Sequence, residues 1–503
     1  MGLKAGIYTD IGRNACSQAW DPQSPNLPVG TIAEREVGLE GHVEQDIRLF
    51  FQEWGFDYIK VDACGVADYA PGSPVLAAGY RPHEPLIVRS YPEFDNSDAL
   101  RARYVEVAHA LKKYSPQGRY VLSICTWGRA NVRAWGTEVG NVWRTNADIS
   151  PVWSSMLRSY DSVATRALYA HPGSWNDPDM LFMGSGDFDE HHLTAARTHF
   201  TLWAMVNAPL LIGYDLRRAP KALLKIWGNA DLVAINQDRL GNQAVLAYRS
   251  DDVHILVKSL SGGRKAVALF NRSDVPHNVT LTSAHLKFAS GAAVTLKNLW
   301  TKKILPTFVH EKTFTLGPRE TLAFVATGTH LLPHGVYLSE MPASIHVAVE
   351  GIAFPEMDPT IYRASLGPTR GSGEQSEYGG WGGAQADASP YSTPLAVGER
   401  SFAYGIGVLG NSRLEVRANK EFARFSAVVG VDNITRNRRT PIRFLVYGDG
   451  RLLSESNLLK FANPPVAIGA DVRGISIIEL VVKNAEGAST PVAATWGDAK
   501  LEK

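Results

Sequence analysis

The sequence is poor in cysteine and has no excess of either charge. Three cysteines, Cys16, Cys64 and Cys125, occur among 503 residues, and their spacing matches no metal-binding motif. Lys plus Arg number 51 and Asp plus Glu number 50, so the chain carries no strong field that would attract nucleic acid or an anionic membrane. The composition therefore argues against both as main partners.

Long hydrophobic runs and several catalytic motifs are also missing. No apolar run reaches the roughly 18 residues of a membrane span, and the first residues do not match a signal peptide. The sequence contains no phosphate loop, no H-E-x-x-H motif and no G-x-S-x-G motif. We therefore expect neither a metal nor a cofactor. The 12 Trp, 18 Tyr and 45 Gly residues suit contact with sugar rings, and they suit a rich core with many turns equally well.

The first half of the chain alternates between strand and helix patterns, which predicts parallel strands with helices outside them. Polar clusters at the carboxyl ends of parallel strands are typical of the active site of a (β/α)8 barrel. An open sheet is the alternative, since a closed barrel needs eight strands and only six are found. The six predicted strands are GLKAGIYTD, FDYIKVDACG, RYVLSICTWG, NVWRTNADIS, GSWNDPDMLFMG and APLLIGYDLR.

The second half of the chain changes to an all-β pattern. We predict a barrel-type domain over residues 1–240, an antiparallel β-sandwich over 243–330 and a second β domain over 337–503. A turn at Ser261-Gly262-Gly263 joins two strands of the first sandwich. Gly448-Asp449-Gly450 predicts a hairpin in the last domain.

Asp62 is the first candidate catalytic residue, because it ends the otherwise apolar strand YIKVD. Lys60, two residues earlier, points to the same side of the strand and would keep Asp62 ionised, as a nucleophile requires. The alternative is a salt bridge that closes the rim of the barrel.

Arg144 and Asp148 form a second cation–carboxylate set, in VWRTNADIS. A carboxylate facing Asp62 would complete a glycosidase pair, in which one carboxylate attacks the sugar and the other protonates the leaving oxygen. Taken alone, this stretch favours a helix cap at Asp148. In NDPDM, Asp177 is interpreted as structural and Asp179 as a ligand of a substrate hydroxyl.

The motifs taken together resemble glycoside hydrolase family 27, the α-galactosidase and α-N-acetylgalactosaminidase family. GIYTDIGRNAC, DYIKVDAC, VWRTNADI, SWNDPDML, NAPLLIGYDL and AINQD occur in one order along the chain, and the resemblance covers about residues 3–330. It implies that Asp62 is the nucleophile and Asp148 the general acid/base. It also implies a disulfide between Cys16 and Cys64 and leaves Cys125 as a free thiol. The substrate-binding residues that it implies are Lys60, Arg144, Asp179, Tyr8, Thr126 and Trp127.

Two departures from the family pattern qualify this resemblance. The family commonly has CEW or CNW where this chain has CTW, so Thr126 leaves the substituent at sugar carbon 2 open. The family also begins with two further βα units, carrying a GWNSW-like stretch and paired aspartates, and neither stretch occurs here. The resemblance therefore implies a TIM barrel that lacks its first two βα units, with GLKAGIYTD as the third strand. A non-catalytic carbohydrate-binding protein with an incomplete barrel is the alternative.

The C-terminal part, from about Tyr337, resembles a carbohydrate-binding module of the NPCBM type. The stretches that carry this resemblance are VYLSEM, YGIGVLGNSRLEVR and RFSAVVGVDN. It implies a jelly-roll-like β-sandwich that holds the enzyme on polysaccharide. Trp381 and Tyr404 are candidate stacking residues, and the alternative is that they anchor the core or a loop.

The resemblance implies a retaining exo-glycosidase that releases terminal α-D-galactose from oligo- or polysaccharides. α-N-acetylgalactosamine, β-L-arabinopyranose and isomaltose units are the alternative sugars. The mechanism predicts carboxyl groups about 5–5.5 Å apart, and a separation near 9 Å would count against it. Because a disulfide fits an oxidising compartment, we expect an extracellular or periplasmic location.

Overall fold

Contacts divide the chain into two units, and the computed structural model describes residues 2–81, 84–89, 94–351, 382–485 and 491–503. Among the described residues, the first unit runs to Asp148 and includes Gly173–Asp177, and the second contains Ile149–Pro172 and those from Pro178 onward. In the described residues no helix has the length and apolar character needed to cross a membrane.

The first unit is built on a five-stranded parallel sheet in the order β1-β2-β3-β4-β5. The predicted α/β pattern is therefore confirmed for five of the six expected strands. The strands are β1 (Gly6–Asp10), β2 (Tyr58–Asp62), β3 (Val121–Cys125), β4 (Val142–Arg144) and β5 (Trp175–Asp177). The helices are α1 (Cys16–Trp20), α2 (Ile32–Arg35), α3 (Val43–Ile47), α4 (Pro74–Ala77), α5 (Ser97–Tyr114) and α6 (Val132–Val139).

The sixth expected strand, APLLIGYDLR, is wrong as a regular strand. In the second unit this stretch forms only one isolated parallel bridge, between Leu181 and Ile212. Pro209 in this stretch has no N–H to donate to a ladder.

Helix α5 shows how local sequence fixes the position of β2. The Asn96 side chain caps the helix by accepting from the Ala99 N–H at 3.1 Å. On the buried face, the Tyr104 hydroxyl donates to the Val61 carbonyl oxygen at 3.0 Å. The helix is thereby tied to the residue directly before Asp62.

The helix that begins at Val43 is a regular α-helix only as far as Ile47. It then widens into a π-helical segment, Arg48–Glu53. A wider turn changes which residues share a helix face, and Trp54, directly after the segment, is 59% exposed. Gly55 follows with φ at +76°.

The second unit begins with helices and continues into the predicted β-sandwich. The sandwich has a six-stranded sheet in the order β11-β10-β13-β8-β7-β6 and a two-stranded sheet of β12 and β9. The helices are α7 (Trp153–Ala164), α8 (Leu193–Met205), α9 (Lys221–Trp227) and α10 (Ala230–Asn236). The strands are β6 (Val245–Arg249), β7 (Val253–Ser259), β8 (Lys265–Asn271), β9 (His277–Thr282), β10 (Ala293–Asn298), β11 (Phe308–Val309), β12 (Glu311–Leu316) and β13 (Thr321–Thr327).

The C-terminal domain is a second β-sandwich, with the fully buried Trp496 in its core against Phe425 and Phe444. One sheet follows the order β16-β19-β26-β21-β24, with β14 also on β26, and the other follows β15-β20-β25-β22-β23. The strands are β14 (Gly335–Tyr337), β15 (Ile345–Glu350), β16 (Gln385–Ala386), β17 (Leu395–Val397), β18 (Arg400–Phe402), β19 (Gly405–Leu409), β20 (Ser412–Arg417), β21 (Arg424–Val431), β22 (Ile442–Gly448), β23 (Arg451–Glu455), β24 (Val466–Asp471), β25 (Ile477–Asn484) and β26 (Ala493–Glu502).

Candidate active site

Asp62 lies at the carboxyl end of β2 and is oriented by two hydrogen bonds. Its Oδ2 accepts from the Tyr8 hydroxyl at 2.9 Å, and its Oδ1 accepts from the Ala63 N–H at 2.9 Å. Only 6% of Asp62 is exposed. Burial and the nearby Asp62 charge raise the pKa of Tyr8, so Tyr8 remains a protonated donor. The two donors fix the plane of the Asp62 carboxyl group.

Asp10 is a second carboxylate beside Asp62, because the two residues are paired in the register of β1 and β2. It is fully buried. Its Oδ1 accepts from the N–H groups of Gly12 and Gly65, at 2.8 and 3.0 Å. Burial, reinforced by the charge of Asp62, raises the pKa of Asp10 to about 8. A neutral Asp10 leaves the negative charge of the pair on Asp62.

The predicted disulfide between Cys16 and Cys64 is present, with a Cα–Cα distance of 5.0 Å. It joins the segments that follow β1 and β2, next to the two carboxylates. Donor atoms of Asp10, Cys16, Asp62 and Cys64 all lie within 4.8 Å of one another. Both sulfurs are bonded to each other, so this cluster lacks the thiolates that a zinc ion would bind.

Arg144, at the end of β4, connects a buried position to an exposed one. Its side chain is 1% exposed, whereas that of Asp148 is 80% exposed, and Arg144 Nη1 lies 3.1 Å from Asp148 Oδ1. A second nitrogen, Nη2, donates to the Asn146 carbonyl at 3.0 Å. The buried guanidinium thus holds the loop and places the Asp148 carboxylate at the solvent-facing surface of the first unit.

Lys60 lies on β2 with Asp62, and Cys125 ends the adjacent strand β3. Lys60 is half-buried and pairs with Tyr8 in the register of β1 and β2. Cys125 is opposite Asp62 on β3 and is a buried free cysteine, as expected. Burial raises the pKa of the Cys125 thiol, and the Asp62 charge adds to the effect. The thiol is therefore held in its neutral form.

Thr126 and Trp127 follow β3, but they differ in exposure. Thr126 is fully buried, and its hydroxyl donates to the Arg129 carbonyl at 3.2 Å. Trp127 has a φ of +55° and packs against Arg89, whose guanidinium carbon is 5.4 Å from the ring centroid. Thr126 is therefore part of the buried segment after β3, whereas Trp127 makes a cation–π contact with Arg89.

The two aspartates of NDPDM lie in different units. Asp177 ends β5 in the first unit and pairs with Arg144 in the register of β4 and β5. Asp179 lies in the second unit, with φ at +86°. There its carboxylate accepts from the N–H groups of Ile149 and Met180, each at 2.8 Å. The positive φ is a strained conformation for a residue with a side chain.

One of the two predicted stacking residues of the C-terminal domain has a structural role. The Tyr404 hydroxyl donates to the Ala284 carbonyl at 2.9 Å, and its ring centroid is 4.6 Å from that of Tyr337. These contacts agree with the anchor interpretation. Trp381 lies outside the described residues.

Sequence reasoning missed a buried ion pair beside the site. Arg129 donates to the carboxylate of Asp95 at 2.8 and 3.0 Å and to the carbonyl of Arg89 at 2.9 Å. The side chains of Arg129 and Asp95 are 4% and 2% exposed, respectively. The pair fixes the segment after β3. Because the partners are far apart in sequence, no local pattern indicates the contact.

Comparisons with known proteins show which family the chain resembles. A family model described as Alpha galactosidase A matches residues 91–238, and one for the Alpha galactosidase C-terminal beta sandwich domain matches 250–326. The chain is 31% identical over 335 residues to a "Probable alpha-galactosidase" of Dictyostelium discoideum, covering 66% of this chain and 73% of that one. The chain belongs to the α-galactosidase family, glycoside hydrolase family 27.

Other comparisons show how much of a relative's length is covered by the alignment with this chain. It is 33% identical to an alpha-galactosidase of Oryza sativa over 299 residues, which are 59% of this chain and 60% of that one. The chain thus spans about three fifths of the length of that curated relative. The structure of alpha-galactosidase I from Mortierella vinacea aligns with a TM-score of 0.52 at 21% identity, covering 65% of this chain and 77% of that one. That likeness supports the TIM-barrel family fold, and an NPCBM/NEW2 model matches residues 371–502.

Proposed function

We propose that this protein is a retaining exo-glycosidase that hydrolyses terminal α-D-galactosides. The observation that carries the proposal is the hydrogen-bonded Asp62 at the end of β2, in a unit that also presents Asp148 on a buried arginine. Retaining glycoside hydrolysis uses two carboxyl groups, one as nucleophile and one as proton donor, and Asp62 and Asp148 are proposed for these roles.

Asp62 attacks the anomeric carbon while Asp148 donates a proton to the leaving glycosidic oxygen. The C–O bond of the aglycone breaks, and a covalent β-galactosyl ester forms on Asp62. Asp148, now a carboxylate, takes a proton from water as the water attacks the same carbon, which releases α-galactose and restores Asp62. The two inversions give net retention.

The neighbouring residues prepare this chemistry. Tyr8 donates to Asp62 Oδ2, which orients Oδ1 and Oδ2 relative to the ring that it attacks. Arg144 holds Asp148 and supplies a cation near the sugar hydroxyls. Lys60 is proposed as a second hydroxyl ligand. The proposed location is extracellular or periplasmic, where the Cys16–Cys64 disulfide is maintained.

The test uses the protein expressed from its complete coding sequence. We expect hydrolysis of 4-nitrophenyl α-D-galactoside, with α-galactose as the first product seen by proton NMR. The α-N-acetylgalactosaminide, the β-L-arabinopyranoside and dextran test the other sugars that Thr126 leaves open. β-Galactose as the first product would overturn retention, and hydrolysis of none of the four would overturn the enzyme proposal.

A leaving-group comparison tests the role of Asp148. Asp148→Ala should slow hydrolysis of an unactivated disaccharide far more than that of the nitrophenyl galactoside, because nitrophenolate leaves without a proton. Asp21→Asn, an exposed carboxylate in the same unit, is the matched control. An equal loss on both substrates would contradict the assignment.

A further inference from the structure

The second unit contains a cleft of about 680 Å³ at the junction of its two β domains. The volume falls within the roughly 300–1,000 Å³ of small-molecule sites. Neither proposed catalytic carboxylate lines it. Its walls come from residues 164, 165, 167, 245–251, 282, 284, 285 and 287 and from residues 385–388, 392–394 and 402–404 of the C-terminal domain.

Buried polar contacts hold the two walls of this cleft together. Lys287 Nζ lies 2.5 Å from Asp387 Oδ2, with the side chains 7% and 5% exposed. Asp387 Oδ1 accepts from the Gly405 N–H at 3.0 Å. The Tyr404 hydroxyl, on the wall from the C-terminal domain, donates a hydrogen bond to the Ala284 carbonyl on the opposite wall. The walls are therefore fixed before a ligand enters, which lowers the entropy cost of binding.

The cleft combines aromatic surface with balanced charge. Tyr248 is 47% exposed, and its ring centroid lies 6.1 Å from that of His285. Phe402 and Tyr404 add further rings to the walls. The charged lining residues are two cations, Arg249 and Lys287, and two carboxylates, Asp251 and Asp387. This balance favours a neutral ligand, because a charged one would meet a like charge within the cleft.

His285 adds a defined hydrogen-bond donor. Its Nδ1 accepts from the Thr282 N–H at 3.2 Å. Burial lowers the pKa of His285, and the charge of Lys287 lowers it further. A neutral ring whose Nδ1 accepts must carry its proton on Nε2. The walls thus provide donors, acceptors and flat apolar rings together.

We propose that this cleft binds a short neutral saccharide, at a site separate from Asp62 and Asp148. Sugar hydroxyls pair with both donors and acceptors, and the C–H faces of sugar rings pack on aromatic rings. A neutral ligand rich in hydroxyl groups and with apolar faces fits every feature of the lining. Binding at this cleft does not depend on hydrolysis, so it would be a second function beside the proposed hydrolysis.

The test measures binding to the full protein carrying Asp62→Asn, which removes turnover. Galactose, raffinose and maltose are titrated by isothermal calorimetry. We expect one of them to bind, and Tyr248→Ala to weaken that binding at least about tenfold by removing the exposed ring. Arg249→Ala should weaken it as well. Tyr447→Ala, a half-exposed tyrosine of the C-terminal domain that does not line the cleft, is the matched control.

The outcomes separate the cleft from the catalytic site. Loss of binding in Tyr248→Ala with retention in Tyr447→Ala and Lys60→Ala supports the cleft. Loss in Lys60→Ala alone would place the saccharide at Asp62 and overturn the proposal, as would the absence of binding by any of the three sugars. A protein that hydrolyses nothing yet binds through Tyr248 would overturn only the proposed enzyme function.

Discussion

In the first unit, strands of the parallel sheet end in buried ionisable residues, whereas the core of the C-terminal sandwich is apolar. Asp10, Asp62 and Arg144 are 0%, 6% and 1% exposed, and each is held by hydrogen bonds or an ion pair. In the sandwich, Trp496 is fully buried among hydrophobic side chains. Burying a charged group destabilises the folded state unless the group is paired or hydrogen-bonded. Burying apolar surface stabilises the folded state. Substitutions in the two regions should therefore affect different measurements.

The largest effect should follow from Asp62→Asn. We expect kcat to fall by about a thousandfold or more, because the amide cannot form the covalent intermediate. The unfolding temperature should stay level or rise, since the substitution removes a charge next to Asp10. The measurement pairs steady-state kinetics with thermal unfolding, and Asp21→Asn should change neither. Retained activity would remove Asp62 from the mechanism.

Trp496→Ala should produce the opposite pattern. Removing this fully buried ring leaves a cavity against Phe425 and Phe444 and should cost about 3–5 kcal/mol of unfolding free energy. The kcat of the folded fraction should stay unchanged. Urea unfolding measures the loss, with the half-exposed Val466→Ala as the control. A cost below about 1 kcal/mol would show that this core does not depend on the ring.

Removing the disulfide should affect both measurements. Replacing Cys16 and Cys64 together by serine should lower the unfolding free energy by about 2–4 kcal/mol, because the bond closes a loop with a sequence separation of 48. Activity should also fall, since the bond joins the segments after β1 and β2. Dithiothreitol should reproduce the effect in the parent protein and leave the double variant unchanged. A variant as stable as the parent would contradict this expectation.

The smallest effect, taken per pH unit, is on the pH dependence of stability. An unfolded Asp has a pKa of about 3.9, whereas that of Asp10 is about 8 in the folded chain. Between these values the folded state holds the extra proton, so raising the pH favours unfolding by up to about 1.4 kcal/mol per pH unit. Asp10→Asn should remove this loss between about pH 4 and pH 8. Unfolding at several pH values tests it, with Asp21→Asn keeping the parent slope.

Some of the fold and the site could be predicted from local sequence patterns. The alternation of apolar strands and amphipathic helices predicted β1 to β5, because backbone periodicity is a local property. The turns at Ser261-Gly262-Gly263 and Gly448-Asp449-Gly450 were confirmed for the same reason. The prediction that failed, the strand APLLIGYDLR, depended on pairing with neighbouring strands, which the local pattern does not contain.

By itself, the sequence determined the family, the order of the domains, the position of Asp62 at a strand end and that of Asp148 shortly after another strand. These follow from motif order and from side-chain periodicity. Only the tertiary structure decided that Asp10 lies against Asp62, that Arg129 pairs with Asp95, and that Lys287 and Asp387 fix a cleft between two β domains. The physical reason is that burial and charge pairing depend on residues far apart in the chain, which folding alone brings together.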